Sequence, residues 1–268
     1  LVELTGTAYI MRHDASGARA MWLAVDDSNK SFAIAFKTPP IDDTGVFHIL
    51  EHSVLCGSDR FPVKEPFVSL LKTSMQTFLN AMTFPDKTMY PVASTNDKDL
   101  LNLIDVYMDA VLNPRIYEKR AIFEQEGWHY ELDGAPEPVA SDAHDAPIAD
   151  GGPDAPIAPD SSSDPSVSEA LRYNGVVFNE MKGALSDPES VLVREMNHAL
   201  FPNTCYAFES GGHPRAIPTL TYEGFLDTHA RHYRLDNSFI ILYGAIDADQ
   251  VLGFLDERYL SVVRPRTQ

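Results

Sequence analysis

Basic residues are scarce. The 268-residue chain carries 21 Lys and Arg against 39 Asp and Glu, a formal charge of −18. Such a chain repels a phosphate backbone, so no nucleic-acid partner is expected. Cysteine is nearly absent. Cys56 and Cys205 cannot build a disulfide framework, and two reduced thiols in a cytoplasmic or organelle-matrix-like reducing compartment are expected. No apolar run reaches the roughly 18 residues that a bilayer-crossing helix needs, so no membrane partner is expected either. The opening stretch LVELTGTAYIMRHD lacks the basic region and apolar core of a secretory leader. It also begins without Met, as a trimmed or mature fragment would. With 44% hydrophobic and 22% charged residues, the chain has ordinary globular composition, which excludes wholesale disorder.

Acidity is concentrated in one place. Residues 133–169 hold nine acids and seven of the 19 prolines, with no Lys or Arg, and repeat DAPIA at 145–149 and 154–158. Proline removes backbone donors and like charges extend the chain, so 134–167 reads as a disordered insertion in a single domain spanning 1–268.

Around it, hydrophobic patterning is regular. AYIMRH, ARAMWLAV and SFAIAFKT, separated by turn-forming ASG and DDSNK, predict a three-stranded antiparallel meander. Asp43 or Thr44 is placed to cap a helix running to about Cys56, with Gly57 to end it. A short helix is expected near 65–73, and strands in QTFLNAMTF and TMYPVAST. Apolar residues spaced by three and four predict helices over 97–112, 120–132, 175–185, 187–200 (with Ser186 to Glu189 as a capping box), 221–233 and 247–260, with a strand from Ser238. Strands and helices occurring in runs point to an α+β fold: a mostly antiparallel sheet of about six strands flanked by helices.

The chemistry is concentrated in His48-Ile-Leu-Glu51-His52. On a helix, His48 and His52 lie one turn apart on one face, which suits two imidazoles converging on one ion. Glu51 lies on the same side, close enough to touch a ligand of that ion. Three protein ligands and an open position make a catalytic zinc site, with the third ligand drawn from elsewhere in the chain. The pattern alone also fits a surface helix with two histidines paired to a carboxylate. The flanking Val46, Phe47, Ile49 and Leu50 make the helix apolar nearly all round, and buried imidazoles need partners. Cys56, one turn beyond His52, is a possible fourth ligand by spacing, although a thiolate would close the site. His229 and His232, three apart, read as ordinary surface or interdomain residues.

The order H-x-x-E-H is that of the inverted zincins. HILEHSVLCGSDRFPVKEPF (48–67), FLNAMTFPDKTMYPVAS (78–94), QEGWHYE (125–131), YNGVVFNEMKGALSDPE (173–189) and SGGHPRAIPTLTYE (210–223) resemble the insulinase/pitrilysin metallopeptidases, in the branch containing presequence protease and falcilysin. The resemblance covers nearly all of the chain outside the acidic segment. It implies one Zn2+ ion held by His48, His52 and Glu180, with Glu51 as general base for a metal-activated water. It implies that Asn80 and Ala81, on an edge strand, bind an extended peptide substrate through the backbone. Glu126 is a candidate partner for a ligating histidine, in competition with Glu124 and Glu131. In that family the Arg and Tyr that stabilise the transition state come from a C-terminal half, and no segment here matches them. The chain therefore reads as an N-terminal zinc metalloendopeptidase domain that needs that half as its partner and is nearly inactive alone. The alternatives are a non-catalytic partner subunit and an interaction domain of the same superfamily.

Overall fold

Lys30–Lys37 alternates large apolar with small residues, and both of its edges are paired, so this strand lies inside a sheet with Phe32, Ile34 and Phe36 essentially inaccessible. The computed structural model describes residues 5–62, 70, 72–132 and 171–262. Among these, the strands are β1 (Thr7–Arg12), β2 (Arg19–Ala24), β3 (Lys30–Lys37), β4 (Gln76–Leu79), β5 (Met82–Thr83), β6 (Lys87–Ser94), β7 (His129–Leu132), β8 (Leu171–Asn174) and β9 (Ser238–Tyr243). The α-helices among them include α1 (Val46–Val54), α2 (Asp97–Leu112), α3 (Arg120–Glu126), α4 (Val176–Ala184), α5 (Pro188–Leu200), α6 (Tyr222–His232) and α7 (Ala248–Leu255). The expected helix near 65–73 falls largely on residues outside the described ones, and the expected insertion at 134–167 lies wholly outside them.

The fold is α+β. Seven strands form one mixed sheet in the order β1-β2-β9-β3-β6-β4, with β5 also on β6, and β7 and β8 form a separate ribbon. All described pairings are antiparallel except β2 with β9. The first three strands therefore do not form the expected meander. β1 and β2 make a hairpin, but β9 inserts between β2 and β3, with Trp22 opposite Leu242 and Leu242 opposite Phe32. Local patterning marks a strand and not its neighbour, and Ile240 and Leu242, buried like Phe32 and Ile34, make β9 suited to the interior of the sheet.

α2 matches its expected range. Leu100, Leu103, Ile104, Tyr107, Met108 and Val111 form one inaccessible stripe against β3 and β6, and Asn96 caps it by accepting from the Lys98 and Asp99 amides. Burial of each such large side chain contributes about 1.5–3 kcal/mol. Three other expectations need correction. The helix expected over 120–132 stops at Glu126, and Gly127 turns the chain into β7. The cap of α5 is Asp187, not Ser186; its carboxylate accepts from the Ser190 amide, while the Ser186 hydroxyl donates back to Gly183. His229 is a core residue rather than a surface one: its Nε2 bonds the Val111 carbonyl at 3.0 Å and its Nδ1 accepts from the Tyr117 hydroxyl at 2.9 Å.

Candidate metal centre and active-site cleft

α1 sits beneath the cleft, packed on α3, α6 and β5. Ile49, Leu50 and Val54 are fully buried and fix the helix from below. Its first residue is preceded not by a side-chain cap but by Gly45, at φ 64° and ψ 26°. A Cβ at Gly45 would come within 2.5 Å of the Gly212 Cα and 2.6 Å of the Gly211 carbonyl oxygen. Only glycine tolerates both the left-handed conformation and this backbone approach. The expected Asp43 or Thr44 cap is thus displaced by a close contact with the loop that contains Gly211.

That loop orients the first imidazole. His48 Nδ1 lies 2.9 Å from the Gly211 carbonyl oxygen. A carbonyl only accepts, so Nδ1 carries a proton, and in the neutral ring the lone pair then stands on Nε2. His52 is oriented the same way from the opposite side: its Nδ1 is 3.4 Å from Glu126 Oε2, a carboxylate itself buried to 9% exposure. Burial opposes a charge on His52, but the Glu126 hydrogen bond and the charges of Glu51, Glu126 and Glu180 outweigh it and move the imidazole pKa upward. The two rings stand 5.0 Å apart, nearly perpendicular.

Glu180, from α4, closes the triangle. Its Oε2 is 3.6 Å from His48 Nε2 and 3.7 Å from His52 Nε2. These separations are long for hydrogen bonds. They match ligands placed at about 2.0–2.2 Å from a common tetrahedral ion, whose donor atoms are about 3.3–3.6 Å apart. One donor atom from each of the three residues lies within 4.8 Å of the others. Two neutral imidazoles and a carboxylate are a zinc donor set, so the residues fit that ion. Glu180 is half exposed, which leaves one side of the triangle open to a water and a substrate.

Glu51 is buried beside this triangle, and the Thr83 hydroxyl donates to its Oε2 at 2.9 Å. Burial pushes the phenols of Tyr107, Tyr90 and Tyr233 above the ordinary range, and the charge of Glu51 adds to it, behind the charge of Tyr233 for Tyr90 and against an opposing hydrogen bond with Tyr90 for Tyr233. Asn80 and Ala81 occupy the break between β4 and β5, on the rim of the same cleft of about 890 Å³. Their backbone is partly engaged. Asn80 N donates to the Pro91 carbonyl at 3.2 Å, its carbonyl accepts from the Tyr107 hydroxyl at 3.2 Å, and Ala81 N donates to Asn80 Oδ1 at 2.9 Å.

Cys56 is not one of the converging donors. Its Sγ lies 3.5 Å from Glu126 Oε1 and 3.6 Å from the His52 carbonyl. Neither cysteine is in a disulfide. Of the carboxylates weighed against Glu126, Glu124 pairs with Arg120 on the surface and Glu131 with Arg172. Gly211 and Thr83, which hold His48 and Glu51, escaped the sequence reading. Both come from segments distant in sequence from the histidine motif, and a backbone carbonyl leaves no side-chain signature.

No family model matches the chain. Protein HypA of Clostridium perfringens is 48% identical over 97% of this chain and 23% of its own length. Presequence protease 1, chloroplastic/mitochondrial, of Arabidopsis thaliana is 46% identical over 95% of the chain and 21% of its own length. The mitochondrial presequence protease of Danio rerio is 42% identical over 97% and 22%. The chain thus spans between a fifth and a quarter of the length of these relatives. Among crystal structures, a protease from Helicobacter pylori superposes with a TM-score of 0.67 at 12% identity, covering 98% of this chain and 52% of that one. Pitrilysin superposes at 0.64 and 16%, covering 98% and 24%. At such identities the structural likeness speaks for the fold alone.

Proposed function

The chain belongs to the insulinase/pitrilysin family, in its presequence-protease branch, and from that premise we propose that it is the zinc-binding portion of a metalloendopeptidase acting on short, unfolded peptides. The observation that carries this reading is the convergence of His48 Nε2, His52 Nε2 and Glu180 Oε2 at ligand-to-ligand spacing, beside a buried Glu51. The two Nδ1 partners, Gly211 and Glu126, leave both Nε2 lone pairs directed at the same point. A bound Zn2+ would supply Lewis acidity there, lowering the pKa of a water to about 7 and polarising the scissile carbonyl.

The remaining work belongs to the chain. Glu51, held by Thr83, takes the proton from the attacking water and delivers it to the departing amine. Asn80 and Ala81 receive the peptide as an added strand along the sheet rim. To do so, the Asn80 side chain first releases the Ala81 N–H, which a substrate carbonyl then occupies. Backbone pairing of this kind leaves side-chain preference loose, as an unfolded-peptide substrate requires.

Because the chain spans so little of its relatives, the C-terminal half is part of the proposal as a partner. Without the transition-state donors expected from that half, turnover falls by about 100- to 1000-fold. The relatives named for mitochondria and chloroplasts, with two cysteines outside any disulfide, support a reducing, matrix-like compartment. The test is Glu51→Gln in the full-length protein. Zinc content stays at one ion per chain and peptide hydrolysis disappears; retained turnover with metal bound overturns the assignment of Glu51. A wild-type protein that takes up no zinc overturns the metal site.

A further inference from the structure

We propose that Asp43 is a positioning residue for His48, acting through the Glu209–His213 loop; this rests on the metal site proposed above. Asp43 stands where a helix cap was expected, yet the residue before α1 is Gly45, with no side-chain cap. The carboxylate of Asp43 points elsewhere. Its Oδ1 accepts from the Glu209 amide at 2.7 Å, and its main-chain carbonyl accepts from the His213 amide at 2.8 Å. One residue therefore fastens both ends of the loop. Its Oδ2 lies 3.5 Å from Arg194 of α5, which holds the carboxylate in turn.

Between these two fastenings stands Gly211, whose carbonyl faces His48 Nδ1 at 2.9 Å. Gly212, next to it, is pressed against Gly45 so closely that neither position has room for a side chain. The loop is thus held between Asp43 and the start of α1, with the Gly211 carbonyl aimed at the imidazole. Removing the carboxylate leaves the Glu209 amide without its acceptor and lets that end of the loop lift. The Gly211 carbonyl then no longer selects the Nδ1–H form of His48, and the lone pair on Nε2 is no longer assured. The adjacent Asp42 carries the same charge but does not reach the loop: its Oδ1 accepts from the Thr44 amide at 2.9 Å and the Thr44 hydroxyl at 2.6 Å. It serves as a charge-matched control.

The experiment uses the 268-residue chain. Zinc affinity is measured by chelator competition, and the His48 tautomer is read in the metal-free protein by ¹H–¹⁵N NMR of the imidazole nitrogens. Asp43→Ala is expected to bind zinc about tenfold more weakly, the lower end of what outer partners of ligating histidines contribute, and to show mixed His48 tautomers. Asp43→Asn, which keeps an acceptor oxygen for the Glu209 amide, recovers most of the affinity. Asp42→Ala stays at the wild-type value. Wild-type affinity and a single tautomer in Asp43→Ala overturn the proposal, as does an equal loss in Asp42→Ala, which would reduce the effect to charge. If Asp43→Ala does not fold, Asp43→Asn decides: a full tenfold loss there refutes the role of the acceptor. Should the wild type bind no zinc, the metal site fails, while the tautomer measurement still judges Asp43.

Discussion

Replacing Asp105 by Asn tests an ion-paired cluster outside the cleft. Asp105, on α2, is 13% exposed at its side chain and takes two bonds from the Arg60 guanidinium, at 2.5 and 2.8 Å, and one from Arg258 at 2.9 Å. The buried Tyr259 hydroxyl donates to its Oδ1 at 2.6 Å. Burial works against the carboxylate charge, but the hydrogen bonds from Arg60 and Tyr259 and the charges of Arg60 and Arg258 outweigh it and hold the carboxyl below its usual pKa. Asparagine keeps one acceptor and turns an N–H toward a guanidinium. A hydrogen bond to a charged group contributes about 1.5–3 kcal/mol. Arg60 and Arg258 are 38% and 43% exposed and regain water when released, so the low end applies and the expected cost is about 2 kcal/mol. At that size the midpoint of thermal unfolding falls by about 4–8 °C.

The sign of the pH dependence follows from the direction of the shift. A carboxyl with a lowered folded pKa adds stability that is complete above its unfolded value, about 3.9, and lost as pH falls through the folded value. Urea unfolding followed by tryptophan fluorescence, in wild type and variant, should give a constant gap from pH 7 to about pH 4.5 and a shrinking gap below about pH 4. A gap that persists unchanged at pH 3, or is absent at pH 7, refutes the reasoning.

Two further outcomes are expected. Glu126→Gln removes the charge facing His52 Nδ1 and should weaken zinc binding about 10- to 100-fold, measured by chelator competition; unchanged affinity would remove Glu126 from the site. Zinc at about one hundred times its dissociation constant should stabilise the chain by about 2.7 kcal/mol, read as a rise in the unfolding midpoint that EDTA reverses, and a midpoint indifferent to zinc would contradict a site built in the folded state.

What the sequence made legible was local. α2 could be read to its ends because six apolar residues repeat at helical spacing. The histidine pair was legible because both rings sit on one turn-spaced face of one helix. Glu180 became readable only through the resemblance, since nothing in its own helix separates it from any other acid. What stayed hidden was decided between distant segments. Gly45, rather than Asp43 or Thr44, starts α1 because Gly212 arrives from far along the chain. Glu126 and Glu131 are five residues apart, yet one faces His52 and the other pairs with Arg172, because Gly127 ends the helix between them.

The position of β9 has a consequence for how the protein is made. Its two hydrogen-bonded neighbours, β2 and β3, leave the ribosome long before it does, and each waits with an open edge until Ser238–Tyr243 has been synthesised. Closing the sheet joins segments far apart in the sequence, which is a slow, non-local event. In the interval the unpaired edges are open to any other extended chain, so this part of the nascent chain is exposed to aggregation until Ser238–Tyr243 arrives.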